Sequence, residues 1–186
     1  MTADENAALL AVLTSIRDRG AIGEASLPDA IAHAERFVGL LPDGTAVADL
    51  GSGGGLPGLV IAVRRSDLRL TLIERRASRA DLLRRAVVRL DLGERVDVLD
   101  ADVRNVARDG RVFDAVTARS FAAPLVFAQL AAPLCRADGL ALVSEPPAGT
   151  VGNYSGDERW PAGELARLGW DDDGVAQGIR RLRRRG

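Results

Sequence analysis

The stretch Asp49-Leu50-Gly51-Ser52-Gly53-Gly54-Gly55-Leu56-Pro57-Gly58 sits where an apolar run, Thr45 to Leu50, hands over to a helix-length one, Pro57 to Arg65. Five glycines within eight positions let the backbone turn sharply and let a ligand lie against the chain, above the amides of a helix N-terminus. Pro57 suits the first helical turn, because its missing N–H would be unpaired there anyway. A tight turn that happens to be glycine-rich is the plainer alternative. Directly after a strand, a ligand loop is the better reading.

Outward from that loop, short apolar runs alternate with amphipathic ones. The strand-like runs are Thr45 to Leu50, Leu70 to Glu74, Val96 to Leu99, Val112 to Thr117 and Leu140 to Val143. Helices are predicted at Pro57 to Arg65, Ser78 to Leu92, Val103 to Ala107 and Ala122 to Leu134. Such alternation predicts an α/β fold: an open, mostly parallel, twisted sheet with helices on both faces. Two helices precede it, one over Ala3 to Asp18 and one from Ser26 to Leu41, the latter broken by Pro42 and Gly44. After Val143 come a loop rich in Gly, Pro and Ser, a short helix at Pro161 to Leu168 and a final hairpin within Gly169 to Arg184. At 186 residues the chain reads as a single domain, with a helical preface at 1–44, a ligand-binding core at 45–143 and a completion of the sheet at 144–186.

Composition excludes several classes. Hydrophobic residues make up 47% and charged ones 27%, enough for a real core and too much apolar matter for a disordered chain. One cysteine, Cys135, and one histidine, His33, leave no cysteine-cluster or zinc site. No apolar run is long enough to cross a bilayer, and the acidic start at Asp4 and Glu5 is unlike a signal peptide, so a cytoplasmic location is expected. The net charge of -1 hides a strong segregation, in which every basic residue is arginine. Nine arginines between Arg64 and Arg89 face three acids, and five more stand in the last seven residues. These are two candidate anion-facing patches, unless they are merely solvated surface.

The ligand is the harder question. Gly53-x-Gly55-x-x-Gly58 satisfies the dinucleotide fingerprint, with Glu74 where a ribose-binding acid belongs. Asp49, however, stands two residues before the first glycine, where it is expected to face the ligand. Beside a pyrophosphate that charge is unfavourable; beside an ammonium and a sulfonium it is favourable. Asp49, Glu74 and Asp102 all fall at successive strand ends, on the carboxyl edge where open α/β sheets bind ligands. The nucleoside that fits this row is S-adenosylmethionine, with Glu74 on the ribose hydroxyls and Asp102 on the adenine amino group.

Three stretches carry a family resemblance: the glycine loop, Ile73-Glu74-Arg75-Arg76, and above all Phe113-Asp114-Ala115-Val116-Thr117-Ala118-Arg119-Ser120. Over roughly Ala48 to Val143 the chain resembles the RsmG (GidB) family within the class I methyltransferases. The resemblance implies a Rossmann-like fold, S-adenosylmethionine as cofactor, and methylation of guanine N7 in small-subunit ribosomal RNA, with ribosomal RNA or the small subunit as partner. It also implies cofactor contacts at Gly51, Leu56, Ala101, Asp102 and Arg119; the glycine loop and the row of acids add Asp49, Gly53, Gly55 and Glu74, and Arg119 is the residue expected beside the acceptor. Phosphate contacts are expected from the arginines between Arg75 and Arg89 and from the C-terminal ones. The chain departs from the family's pattern in its shorter N-terminal portion, where His33 is followed by Ala34-Glu35-Arg36, and after the fifth strand. There Ser144-Glu145-Pro146-Pro147 replaces a lysine and a glycine.

Guanine N7 carries a free lone pair at neutral pH, so the chemistry needs alignment rather than a general base. That suits a chain with one histidine, one tyrosine and no nucleophile beside a base. Glu145-Pro146-Pro147 reads as a rigid turn, His33 as packed or surface, and Cys135 as a core thiol ending an apolar helix. Trp160 and Tyr154 make no stacking platform on their own. Competing readings are a methyltransferase for a small molecule or another RNA, a cofactor- or RNA-binding protein without catalysis, and a nicotinamide-dependent reductase.

Overall fold

A computed structural model describes residues 3–23, 26–146 and 156–186. Seven strands form one sheet in the order β3-β2-β1-β4-β5-β7-β6. In chain order these are β1 (Ala46–Leu50), β2 (Arg69–Glu74), β3 (Val96–Asp100), β4 (Phe113–Ala118), β5 (Cys135–Ser144), β6 (Trp170–Ala176) and β7 (Ile179–Arg184). The first five run parallel to one another, and β7 runs antiparallel to both β5 and β6. The helices are α1 (Ala3–Asp18), α2 (Leu27–Val38), α3 (Gly58–Arg64), α4 (Ala77–Arg89), α5 (Val103–Arg108), α6 (Pro124–Ala131), α7 (Gly156–Arg159) and α8 (Ala162–Arg167).

Strand alternation divides the apolar material between two faces. Val47, Leu70, Leu72, Ala115 and Leu142 point into a core closed by α1 to α4, together with Leu13, Phe37 and Leu59. Ala48, Ile73, Val116, Ala141 and Val143 point the other way, to Phe127, Leu134, Trp160 and Trp170. Because both faces are covered, the central strands read as continuous apolar runs, as a buried parallel sheet requires.

Two element boundaries differ from expectation. The helix expected to end at Leu134 stops at Ala131 and passes through a 3-10 turn at Ala132–Leu134, which contains Pro133. The strand then begins at Cys135, five residues before the apolar run, so Cys135 is a strand thiol and not a helical one. The early residues pair Cys135 with Phe113, and the register shifts before Leu140 meets Ala115. Between them Asp138 takes a left-handed φ of 60°, a shape no apolar pattern signals. The final hairpin forms as expected, but β7 inserts between β5 and β6. Pro147 and Tyr154 lie outside the described residues.

Candidate functional site

At the carboxyl ends of β1, β2 and β3 the chain leaves a cleft of about 300 Å³. Its lining includes Gly51, Glu74, Ala101 and Asp102, with apolar walls from Ile73, Val103, Val126 and Leu130. Four of the nine expected site residues therefore meet in one cavity. Arg75, Arg76, Arg79 and Arg104 stand around them, and Phe121 forms one side.

Glu74 is 5% exposed and is held by the loop it faces. Its Oε2 accepts from the Gly53 amide at 2.9 Å and its Oε1 from the Arg76 amide at 2.8 Å. Each oxygen keeps a second lone pair that can accept from a further donor. Asp102 caps α5, accepting from the Arg104 amide at 2.9 Å, and keeps its side chain about one-third exposed beside the cleft. Gly51 takes φ 66°, and a Cβ built on it would lie 2.4 Å from the Phe121 ring. Glycine is required there by its backbone conformation and by that ring together. Gly53 also has a positive φ, but little surrounds it, so this glycine is the one beside which a ligand has room.

Asp49 is placed differently from expectation. It is 1% exposed and does not line the cleft; its carboxylate points beneath the loop. Oδ1 accepts from the Thr117 hydroxyl at 2.9 Å and Oδ2 from the Gly58 amide at 3.2 Å. Burial pushes its carboxyl up to about 6, against the opposing pull of the Thr117, Ser52 and Gly58 hydrogen bonds and the charge of Arg119. The acid is a clamp under the loop. The sequence placed it correctly at the end of β1 but could not show which way the side chain turned. Gly55 and Leu56 are also outside the lining of the cleft: a Cβ on Gly55 would meet Leu59 at 2.4 Å and Leu83 at 3.2 Å, and Leu56 is part of the core.

Arg119 is not part of the cleft's lining, although Ser120 and Phe121 directly after it are; it is half-buried, with Nη1 donating to the Ala30 carbonyl of α2 at 3.3 Å. Arg119 forms no ion pair with Asp114 or Asp102: Asp114 pairs with Arg136 and Asp102 with Arg104. Among the described residues no carboxylate forms an ion pair with Arg119. Ser120 follows in a left-handed conformation, φ 51°, which turns Phe121 over Gly51. Phe121 and Arg104 were missed by sequence reasoning, and Arg79 was expected as a phosphate contact, not as part of the cleft's lining. The signal for Phe121 was its position two residues after Arg119, at the end of a strand whose neighbour carries the glycine loop.

The remaining candidates resolve as structural. Glu145, where the family pattern has a lysine, accepts from Arg180 at 2.9 Å and also binds Arg159 and the Trp160 indole. Trp160 is 3% exposed and packs edge-on against Phe127, so it offers no surface for stacking. The C-terminal arginines, expected to contact phosphate, are largely consumed by β6: Arg180 pairs with Asp172, Arg183 with Asp173 and Arg185 with Asp171. That patch is an internal cross-strand ladder. Among the described residues no group of histidine, cysteine and carboxylate side chains could hold a metal, and no helix is long and apolar enough to cross a membrane.

The strand order and the cleft at the carboxyl edge agree with comparisons to known proteins. The model of the family described as rRNA small subunit methyltransferase G matches residues 6–145. This chain belongs to the GidB family. A relative named ribosomal RNA small subunit methyltransferase G from Aromatoleum aromaticum is 37% identical over 157 residues, covering 81% of this GidB chain and 69% of the relative. One of the same name from Rubrobacter xylanophilus is 43% identical over 99 residues, 52% of this chain and 38% of the relative. With Rubrobacter xylanophilus at 38% and Salinispora tropica at 44%, the chain spans about two fifths of the length of such relatives. Among solved structures, an O-methyltransferase from Bacillus cereus in complex with SAH superposes with a TM-score of 0.63 at 16% identity, covering 96% of this chain and 91% of that one. At that identity the likeness speaks for the fold.

Proposed function

We propose that the chain is an S-adenosylmethionine-dependent methyltransferase acting on guanine N7 of small-subunit ribosomal RNA. The observation that carries the cofactor choice is what lies at the start of α3. Dinucleotide sites of this fold seat a pyrophosphate on the free amides of that helix. Here Pro57 has no N–H, the Gly58 amide is given to the Asp49 carboxylate at 3.2 Å, and the Leu59 amide is given to the Gly55 carbonyl at 2.8 Å. A buried carboxylate occupies the place of the diphosphate, and its charge repels one. The charge argument from Asp49 survives in this altered form: it guards against an anion from below instead of touching a cation.

The groups present fit an adenosyl ligand. Glu74 and Asp102 offer acceptors, Ala101 leaves room beside them, and Ile73, Val103 and Leu130 give apolar walls for a purine. When bound, S-adenosylmethionine supplies an activated methyl group on sulfur. The chain's own part is alignment. Glu74 fixes the loop through Gly53, Thr117 and Asp49 fix it from beneath, and Phe121 shields the side facing β4. No general base is required at N7; the acceleration rests on holding acceptor and donor in line and excluding water. Arg119, half-buried and free of carboxylate pairs among the described residues, has N–H groups left for a cofactor carboxylate or a base edge. Ribosomal RNA as partner and a cytoplasmic location belong to the same reading, for which the GidB relatives' names are the support.

The test is transfer of a labelled methyl group from S-adenosylmethionine to naked ribosomal RNA and to assembled small subunits. Label recovered as 7-methylguanine supports the proposal. Label on another atom, or none on either substrate while a small-molecule acceptor is methylated, replaces it with the competing reading.

A further inference from the structure

Most arginines of this chain are answered by a carboxylate or by backbone carbonyls. Arg64 pairs with Glu35, Arg65 with Asp43 and Asp67, Arg84 with Asp81, Arg136 with Asp114 and Arg159 with Glu145, and the β7 arginines are matched as described. Arg95 and Arg184 bind backbone carbonyls. Against that background, Arg76, Arg79, Arg85 and Arg89 have no carboxylate in an ion pair among the described residues; Arg19, whose Nη1 donates to the Ser15 carbonyl at 2.8 Å, has none either, and the five share one surface.

That surface is concave. The cleft shares Arg76 and Arg79 with a groove of about 510 Å³, lined also by Arg19, Gly20, Ala21 and Arg85. This groove in turn shares Arg19 and Arg85 with a smaller hollow of about 170 Å³ between α1 and α4, where Arg89 stands. The hollows form a continuous trough leading away from the glycine loop. Its layout follows from the helix: Ala80, Leu83, Ala86 and Val87 bury one stripe of α4, which leaves Arg85 and Arg89 on the outer side at i, i+4 spacing. Arg19, at the end of α1, supplies the opposite wall. Asp81 also lines the groove, but it is paired with Arg84 at 2.7 Å, so the four groove arginines Arg19, Arg76, Arg79 and Arg85 still outweigh it. Clustered guanidinium groups repel one another and are stable only when solvated or when an anion lies among them.

We propose that the trough between α1 and α4 binds the phosphate backbone of an RNA strand whose target nucleotide enters the cleft. From Arg76 to Arg89 the helix covers about 20 Å at its rise of about 1.5 Å per residue, the axial length of about six nucleotides of one strand. The C-terminal hairpin takes no part, because its arginines are already paired. This inference rests on the methyltransferase reading for the role of the cleft, while the phosphate contacts stand on the trough alone.

The experiment is binding of the full chain to a single-stranded oligoribonucleotide of small-subunit ribosomal sequence, followed by fluorescence anisotropy across a salt series. Arg85→Gln with Arg89→Gln should weaken binding about tenfold and reduce the slope of log K against log salt by about 1.4, two phosphates' worth for single strands. Arg183→Gln with Arg185→Gln should leave both unchanged. Equal losses in the two pairs, or an unchanged slope in the first, would overturn the proposal. So would displacement of the RNA by polyglutamate at equal charge concentration, which would make the trough a surface for acidic polymers in general. Titration of the α4 pair with S-adenosylhomocysteine separates the two readings: an unaltered Kd keeps the loss to the trough. A chain that never binds this ligand but shows the fall in slope would refute the methyltransferase and retain the RNA surface.

Discussion

The Thr117 hydroxyl donates to the Asp49 carboxylate across 2.9 Å, tying the carboxyl end of β4 to that of β1 directly beneath the glycine loop. Since the Gly58 amide is bound to the other oxygen, one buried acid fixes two strands and the start of α3. Its cost shows in pH dependence. Burial raises the folded-state carboxyl to about 6, above its unfolded value, so the native state binds more protons between about pH 4 and 6 and stability falls as pH rises through that window. At neutral pH the penalty is about 3 kcal/mol by the shift alone. Urea unfolding of the parent chain and Asp49→Asn at pH 4.5 and 7 should show the parent losing stability with rising pH relative to the variant, in which only other groups such as His33, held below the usual imidazole range by burial, still titrate. A parallel response in both chains would remove Asp49 as the titrating group.

Gly51→Ala should strike the site and the fold together. The added methyl meets the Phe121 ring 2.4 Å away, and the residue must hold φ 66°. About 1–2 kcal/mol of stability is lost to the left-handed backbone alone. Pairing it with Phe121→Ala should recover the steric part and leave the backbone part. Thermal denaturation of the three variants measures this; no recovery in the double variant would mean that the ring does not set the size limit.

Glu145 tests whether the departure after the fifth strand is architectural. Glu145→Gln keeps the shape but leaves the Arg180 guanidinium, only 6% exposed, with Asp172 as its remaining carboxylate. A loss of about 2 kcal/mol is expected, with the affinity for S-adenosylhomocysteine unchanged. Denaturant titration and calorimetry check the two halves. A change in ligand affinity at constant stability would place Glu145 in the site instead.

Arg119→Ala should reduce methyl transfer at least about a hundredfold through loss of alignment. Arg119→Lys should not restore it, because a single ammonium cannot replace the guanidinium fork. Single-turnover rates with saturating cofactor provide the measurement. Rescue by lysine would reduce the role to one of charge.

Much of this was legible before the structure. The five parallel strands, the glycine loop and the acids Glu74 and Asp102 follow from alternation of apolar runs and from the position of each acid at a strand end. Side-chain direction did not. Asp49 was assigned to the ligand and instead turns under the loop, because a single residue at a strand's end carries no periodicity that says which face it takes. Leu56 and Gly55 went to the core for the same reason. The C-terminal arginines looked free because the expected hairpin carried no register; its pairing sets Asp171 opposite Arg183 and Asp172 opposite Leu182, which brings the acids of β6 beside the arginines of β7. Phe121 was hidden by the left-handed Ser120 before it, a backbone turn with no compositional mark.

The most direct test of the cofactor assignment is calorimetric titration of the full chain with S-adenosylhomocysteine and, separately, with NAD. The capped start of α3 and the carboxylates of the cleft predict saturable binding of the thioether nucleoside and no heat from the dinucleotide. Binding of NAD with no response to S-adenosylhomocysteine would contradict the account.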